Sequence, residues 1–183
     1  MTLQQAFIEF VAPEPLSPLF KTGGVLQGWN EDVTLFTIAM LALVLVHNAV
    51  AKRLFVDTTT QYFFLHACIN AVVVVAAAPD AFKLLVAGPA AFAGPSFTMV
   101  ANDAIAALHI YHCLFFKLTW ADIMHHVVFV TILCGLAIPF KQVGGALNNA
   151  GCFVLSGLPG GVDYVLLVCV KQGLMHKLTE KRC

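Results

Sequence analysis

Long windows that are almost free of charge recur along this chain, and they constrain its fold more than any other feature. They cover residues 33–50, 62–78, 97–116, 123–138 and 162–170. A helix that crosses the hydrocarbon core of a bilayer needs about 20 mostly apolar residues, and several windows approach that length. A membrane barrel would instead show alternating segments of about ten residues. The windows therefore predict an all-α, polytopic transmembrane helical bundle of five or six spans.

The composition supports this class of protein. Of 183 residues, 60% are hydrophobic and 11% are charged, with a formal net charge of +0. A soluble domain is typically about half apolar and about a quarter charged. The basic residues are scattered, so nothing suggests a nucleic-acid partner. No pair among the six cysteines has the CxxC spacing, and five lie in apolar runs, so we predict that they are small buried hydrophobes.

The apolar windows also divide the chain. Residues 1–30 are predicted to form an N-terminal interfacial segment, because their short apolar run lacks the charged start and long apolar core of a signal peptide. Residues 31–176 are predicted to form one transmembrane bundle, and residues 177–183 a short basic tail. Helices are expected over 31–53, 59–78, 96–116 and 120–138, with a proline-containing connection at 81–95. We expect a multi-pass integral protein of the endoplasmic reticulum or another organellar membrane. Its orientation stays open at this stage.

The stretch "IYHCLFFKLTWADIMHHVVF" (110–129) gathers histidines around a two-residue polar break. The short link makes the third and fourth predicted helices antiparallel neighbours. Thr119 and Asp122 have the spacing of a capping box, which starts a helix at Trp120. At 1.5 Å per residue, all the histidines near this turn lie within roughly 6–12 Å of one membrane face. The sequence therefore predicts a histidine layer made by His109, His112, His125 and His126.

A second feature is predicted at the same depth. A helix that begins near Gly145 has room for only about 20 Å before the "LPGG" sequence at 158–161, against a hydrocarbon core of about 30 Å. Gly160 and Gly161 allow a sharp break there, and the helix that follows carries Asp163 in its first turn. Such broken helix starts commonly face polar substrate groups. We therefore predict that these three residues bind substrate beside the histidines.

Other interpretations of these polar residues remain open. The histidines are also consistent with neutral rings that bond neighbouring helices, and less so with a zinc, iron or haem site, because carboxylates are scarce; no metal is predicted. Asp103 is costly within a membrane unless it is paired. It lies roughly 120° away from the His109 stripe, so it could bind substrate or pair with Asn48 or Asn70.

The sequence "DAIAALHIYHCLFFKLTWADIMHHVVFVTILCGLAI", followed by "GALNNAGCFVLSGLPGGVDYVLL", resembles the TLC superfamily. This superfamily includes the ceramide synthases, the translocating-chain-associated membrane protein and lipid-homeostasis proteins of the endoplasmic reticulum. The similarity covers roughly residues 30–176. Its specific part is Asp103, the His125–His126 doublet and residues 148–163. The acidic pattern that follows the doublet in the synthases is absent, so the resemblance is to a non-synthase member.

The resemblance implies a helical bundle around a lipid-sized cavity. It also implies that His125 or His126 acts as a general base or acyl acceptor, in an acyltransferase-like activity with acyl-CoA as substrate and no other cofactor. The first hypothesis is a protein that binds, senses or modifies a membrane lipid, with His109, His112, Asp103, Gly160, Gly161 and Asp163 in contact with the substrate. The alternative is a small accessory subunit of a large membrane complex, whose partners are other membrane subunits. A transporter or channel is disfavoured because so few charges could line a path.

Overall fold

The computed structural model describes residues 24–88, 98–128, 130, 134–135 and 145–181, which are helical and contain no strand. Helix α1 is Gly24–Val46, extended by a π-helical turn, His47–Ala51, and by Lys52–Leu54. Helix α2 is Thr58–Ala87, α3 is Val100–Phe115 and α4 is Trp120–Val127. Helix α5 comprises Gly145–Gly151, the π-helical segment Cys152–Gly157 and Leu158–Lys171, and α6 is Lys177–Glu180.

Three helices among the described residues are long and apolar enough to cross a membrane. These are Asp32–Leu54, Thr58–Ala87 and Ala146–Lys171. The fold class is therefore all-α, with helices that suit a membrane.

Helix α2 is the central element of the bundle, because it packs against α3 on one side and α5 on the other. Its buried face carries Leu65, Val73 and Ala77, which are all fully buried. The facing side of α3 contributes small residues such as Ala101 and Ala107, also fully buried. Small residues let helix backbones approach closely, which is how helices associate when lipid removes the hydrophobic driving force. The long side chains at the outer surface of α2, such as Val75 and Val86, are exposed.

The short link between α3 and α4 confirms the predicted helix start at Trp120. The chain is extended at Phe116, which ends α3. The Thr119 backbone N–H donates a hydrogen bond to Asp122 Oδ2 at 2.9 Å, and the Asp122 N–H donates to Thr119 Oγ at 3.3 Å. This reciprocal pair is the capping box. It fixes α4 as the antiparallel neighbour of α3.

The predicted start of the first helix and the predicted end of the second helix are both wrong. The first helix begins at Gly24 rather than at residue 31, inside the predicted interfacial segment. The second continues through Pro79 to Ala87 rather than ending at residue 78. A proline removes one backbone hydrogen bond but does not stop a helix that neighbouring helices hold in place.

The predicted sharp break at "LPGG" is also wrong. Helix α5 continues through it, because the π-helical segment ends at Gly157 and places Pro159 in the first turn of the next α-helical segment. Proline is tolerated in a first turn, where its missing N–H has no partner to lose. The predicted end of the fourth helix at 138 and residues 89–95 of the predicted connection lie outside the described residues.

Candidate functional site

Five histidine rings meet at the level of the α3–α4 turn, and all of them except the exposed His125 are buried in the bundle. Helix α2 supplies His66, helix α3 supplies His109 and His112, and helix α4 supplies His125 and His126. The ring centroids of His66 and His112 are 4.5 Å apart, and those of His109 and His126 are 4.6 Å apart. The pairs His109–His125, His112–His126 and His66–His109 follow at 5.4, 5.8 and 6.1 Å. We call these five residues the histidine cluster.

The sequence prediction missed His66 because it lies far along the chain from the other four. The position of His66 within its helix could nevertheless have indicated that it belongs with the others. His66 is about eight residues into α2, so it lies about 12 Å from the same bundle end as the α3–α4 turn. The depth argument that grouped the other histidines therefore applied to His66 as well.

Backbone hydrogen bonds fix how two of these rings present their nitrogens. His126 Nδ1 donates to the carbonyl of Asp122, and His109 Nδ1 donates to the carbonyl of Ile105 at 2.7 Å. A neutral imidazole has one donor and one acceptor nitrogen, so Nε2 of each ring carries the lone pair.

Several buried ring nitrogens of the cluster have no hydrogen-bond partner among the described residues. They are His66 Nε2, both ring nitrogens of His112, and His126 Nε2. These three side chains are between 0% and 3% exposed. Buried polar groups in proteins are almost always paired, and an unpaired one costs about 1–3 kcal/mol. Of these rings, His66 lines a cavity, where a polar group of a bound molecule would supply the missing partner of its Nε2.

A cavity of about 220 Å³ lies against the cluster. His66, His109 and His125 form its histidine wall. Helix α5 forms the opposite wall with Ser156, Gly160, Asp163 and Tyr164, and Asn70 and Leu155 complete the lining. We call this the histidine cavity. Of the residues predicted to bind substrate or act in catalysis, it brings together His109, His125, Gly160 and Asp163.

The other predicted site residues lie elsewhere. His112 and His126 are packed behind the cavity wall, against His66 and His109. Gly161 contacts Asn70 rather than lining the cavity. Asp103 lines a different cavity of about 280 Å³, on the side of α3 that faces α1.

A close approach between helices explains the glycine at position 160. A Cβ added there would lie 2.9 Å from Asn70 Nδ2, closer than side chains pack. Asn70 Oδ1 in turn accepts a hydrogen bond from Ser156 Oγ at 3.3 Å. The missing side chain at Gly160 thus lets α5 come close enough to α2 to enclose the cavity.

Two tyrosine rings cover the cluster. Tyr164 of α5 stacks on His66 with ring centroids 4.0 Å apart, and Tyr62 of α2 stacks on His112 at 4.1 Å. Aromatic stacking holds ring planes in register and keeps water away from them. These contacts hold the His66 ring from the cavity wall and the His112 ring from the side of the bundle end.

A second, more apolar cavity of about 250 Å³ continues from the first along α5. Both cavities have Leu155 and Ser156 in their lining. The second is otherwise lined by Ile105 and Asn102 of α3, Cys134, and Leu147, Asn148, Gly151 and Cys152 of α5. We call it the apolar cavity. The two lie side by side, with the polar one at the histidine cluster, and we refer to the pair as the groove.

Within the described part of the chain, no three histidine, cysteine or acidic side chains are arranged to hold a metal ion. Comparisons with protein-family models, with curated proteins and with solved structures find no match for this chain.

Proposed function

We propose that this chain is a multi-pass integral membrane protein that binds a membrane lipid in the groove formed by the histidine and apolar cavities. The observation that carries the proposal is that a polar and a more apolar cavity lie side by side and share Leu155 and Ser156 in their lining. A lipid is likewise divided into a polar end and an apolar hydrocarbon chain. Its polar end fits the histidine cavity, and its hydrocarbon chain fits the apolar cavity.

The unpaired imidazole nitrogens support the placement of the polar end. His66 Nε2 is buried without a partner among the described residues, and His66 lines the cavity. A ligand hydroxyl, amide or ester group beside it would form the hydrogen bond that the protein does not supply. Asp163, Ser156 and Asn70 add further polar groups around the same hollow. Small-molecule sites typically combine a few such convergent polar groups with apolar walls.

The surface of α5 supports the placement of the chain. Leu147 is 53% exposed and Leu155 is 65% exposed, although both line the apolar cavity. The groove therefore opens sideways, on a helix that is apolar enough to lie in lipid. Between these two leucines the helix rises about 12 Å. A lipid chain would pass from the bilayer into the groove without crossing water.

Acyl transfer from acyl-CoA to the bound lipid is the reaction that the family resemblance implies for the histidine doublet. His125 lines the cavity, whereas His126 is 2% exposed and lies behind His109. We assign the general-base role to His125, because its ring can reach a ligand without displacing another side chain. Asp122, one turn earlier on the same helix, is occupied by its capping bonds to Thr119.

One observation favours the second candidate, an accessory subunit of a larger membrane complex. His126 is packed in the seam between α3 and α4, as expected for a ring that only holds two helices together. In that case the cluster would stabilise the bundle, and its loss would loosen the assembly without changing the bound lipid.

Lipid analysis of the purified protein separates the two candidates. The full chain would be purified in a mild detergent, and its bound lipids measured by native mass spectrometry. We expect a defined lipid on the wild type and its loss in the His125→Ala/His126→Ala double variant. His176→Ala is the matched control, because His176 is exposed and lies outside the cluster. A wild type without bound lipid, or a double variant that retains it but unfolds more easily, would contradict lipid binding and support the accessory role.

A further inference from the structure

A cavity of about 600 Å³ lies apart from the lipid groove. It lies at the end of the bundle where α1 meets α2 and where α3 meets α4. Lys52 comes from the end of α1, and Lys117 comes from the α3–α4 link. Thr58 and Thr59 open α2, and Thr119 precedes α4. We call it the terminal cavity.

Aromatic rings separate the terminal cavity from the histidine cluster. Tyr62 and Phe116 line the cavity, and both rings contact His112, with centroids 4.1 and 5.1 Å away. The terminal cavity shares no lining residue with the histidine cavity. Its occupant therefore need not be the lipid proposed above.

The two lysines that line the terminal cavity outnumber its one lining carboxylate, Asp122. Among the described side chains, neither Lys52 nor Lys117 forms an ion pair, whereas Lys171 at the same end pairs with Asp57 at 3.9 Å. Lys52 Nζ donates instead to Asn48 Oδ1 at 2.7 Å. The one carboxylate in the lining, Asp122, accepts hydrogen bonds from Thr119.

Opposite the lysines, the cavity has a rigid polar wall. The Tyr111 hydroxyl donates to His47 Nδ1 at 2.8 Å, and His47 Nε2 donates to Gln61 Oε1 at 3.0 Å. Gln61 Nε2 in turn donates to the carbonyl of Phe55 at 2.7 Å. Because each group in this chain has its partner, His47 and Gln61 hold fixed positions in the lining. The hollow is preorganised rather than collapsed around its lysines.

Basic residues concentrate at this end of the bundle. Helices α1 and α3 end here, and so does α5, whose Lys171 reaches Asp57. Lys52, Arg53, Lys117, Lys171 and Lys177 therefore lie at one end, while Lys83 lies near the other. The bias of lysine and arginine toward cytoplasmic loops predicts that the terminal cavity opens toward the cytoplasm.

We propose that the terminal cavity is a binding site for a phosphate-bearing anion held between Lys52 and Lys117. Lysine binds phosphate as a point charge, and the hydroxyls of Thr58 and Thr59, which line the same cavity, can donate to further phosphate oxygens. The phosphate belongs either to a phospholipid headgroup or to a soluble molecule, and the chemistry of recognition is the same.

The test uses the full chain in nanodiscs of phosphatidylcholine. One arm titrates soluble pyrophosphate by calorimetry, and the other adds phosphatidic acid to the nanodisc and measures its retention by native mass spectrometry. The variants are Lys52→Gln, Lys117→Gln and the double variant, with Lys177→Gln as the matched basic-end control outside the cavity. We expect binding in at least one arm, weakened roughly tenfold by each cavity substitution and unaffected by the control. Binding should also weaken as salt increases.

Each outcome decides the proposal. Loss of pyrophosphate binding in the cavity variants identifies a soluble ligand, and loss confined to phosphatidic acid identifies a headgroup. Absence of binding in both arms, or equal loss in Lys177→Gln, overturns the site. Both cavity lysines are exposed, so thermal unfolding should not change. If one variant fails to fold, the other single variant still gives the answer. The lipid groove lies apart from both lysines, so failure here leaves the lipid proposal standing.

Discussion

Asn149 donates hydrogen bonds from Nδ2 to Oδ2 of Asp80 at 2.7 Å and to the carbonyl of Thr98 at 2.8 Å. One amide therefore ties α5 to the last turns of α2 and to the residue pair that precedes α3. Asn149 is 0% exposed and Asp80 is 2% exposed. A carboxylate at such a position is expensive unless it is paired. This contact fixes the start of α5, while the approach of Gly160 to Asn70 fixes its middle, and together they hold the groove open.

Replacement of Asn149 by Ala should destabilise the bundle. The change removes a donor from the buried Asp80 carboxylate and from the Thr98 carbonyl, so a loss of about 1–3 kcal/mol in the free energy of unfolding is expected. Chemical unfolding in detergent micelles measures it. Asn148→Ala is the control, because Asn148 Nδ2 has no partner among the described residues. Equal losses for the two variants would show that the Asn149 contacts contribute nothing specific.

Acid should weaken the start of α2 through Asp57, which caps that helix. The Thr60 hydroxyl donates to its carboxylate at 2.8 Å and the Thr60 N–H at 3.0 Å, and the hydroxyl bond is the main cause that lowers the Asp57 pKa below its usual 3.8. A lowered pKa in the folded state means that the ionised form stabilises the fold. That contribution is complete above pH 3.8 and is lost as the pH falls through the folded-state pKa.

The measurement is the unfolding temperature from neutral pH to below pH 3.8, for the wild type and for Asp57→Asn. The asparagine still caps the helix but has no charge to lose. We expect the variant to show a shallower acid dependence than the wild type. Parallel curves would mean that Asp57 has the same pKa in the folded and unfolded chain.

Two glycines of α5 should respond in opposite ways to replacement by Ala. A Cβ at Gly151 meets nothing within 4 Å, so Gly151→Ala should raise stability by about 0.5–1 kcal/mol through helix propensity. A Cβ at Gly160 would lie 2.9 Å from Asn70 Nδ2. Gly160→Ala should therefore gain nothing or lose stability, because Asn70 is only 2% exposed and has little room to move.

A double-mutant cycle tests the cause of that difference. Asn70→Ala removes the side chain that a Cβ at Gly160 would meet, so Gly160→Ala should cost less in that background than in the wild type. Thermal unfolding of the four proteins gives the coupling free energy. A coupling of zero would show that the approach of Gly160 to Asn70 does not limit the packing of α5.

The part of the histidine cluster on α3 and α4 could be predicted from sequence, because it depends on residues that are close together in the chain. The capping box at Thr119 and Asp122 depends on residues three apart, and it fixes the hairpin that sets His109 and His112 beside His125 and His126. Contacts between residues that are far apart in the chain could not be predicted from such a local pattern. His66 joins the cluster only because α2 packs against α3.

The wrong boundaries have a related physical cause. Pro79 and the "LPGG" sequence carry strong local signals for a helix end. Both lie in long helices that pack against neighbours, and at Pro79 this packing outweighs the loss of one backbone hydrogen bond. The π-helical segment before Leu158 also shifts Pro159 into a first turn, and a sequence pattern of period 3.6 does not reveal such a shift.

The junction of the two cavities offers the most direct test of the groove. Leu155 lines both cavities, and Leu155→Trp should fill the passage between them and lower the amount of lipid that co-purifies with the protein. Val154→Trp is the matched control, because Val154 is adjacent and 60% exposed but lines neither cavity. Both side chains are more than half exposed, so neither substitution should disturb the buried core. Lipid mass spectrometry of the three proteins should show loss only for the Leu155 variant. The same occupancy in all three would mean that lipid binds outside the groove.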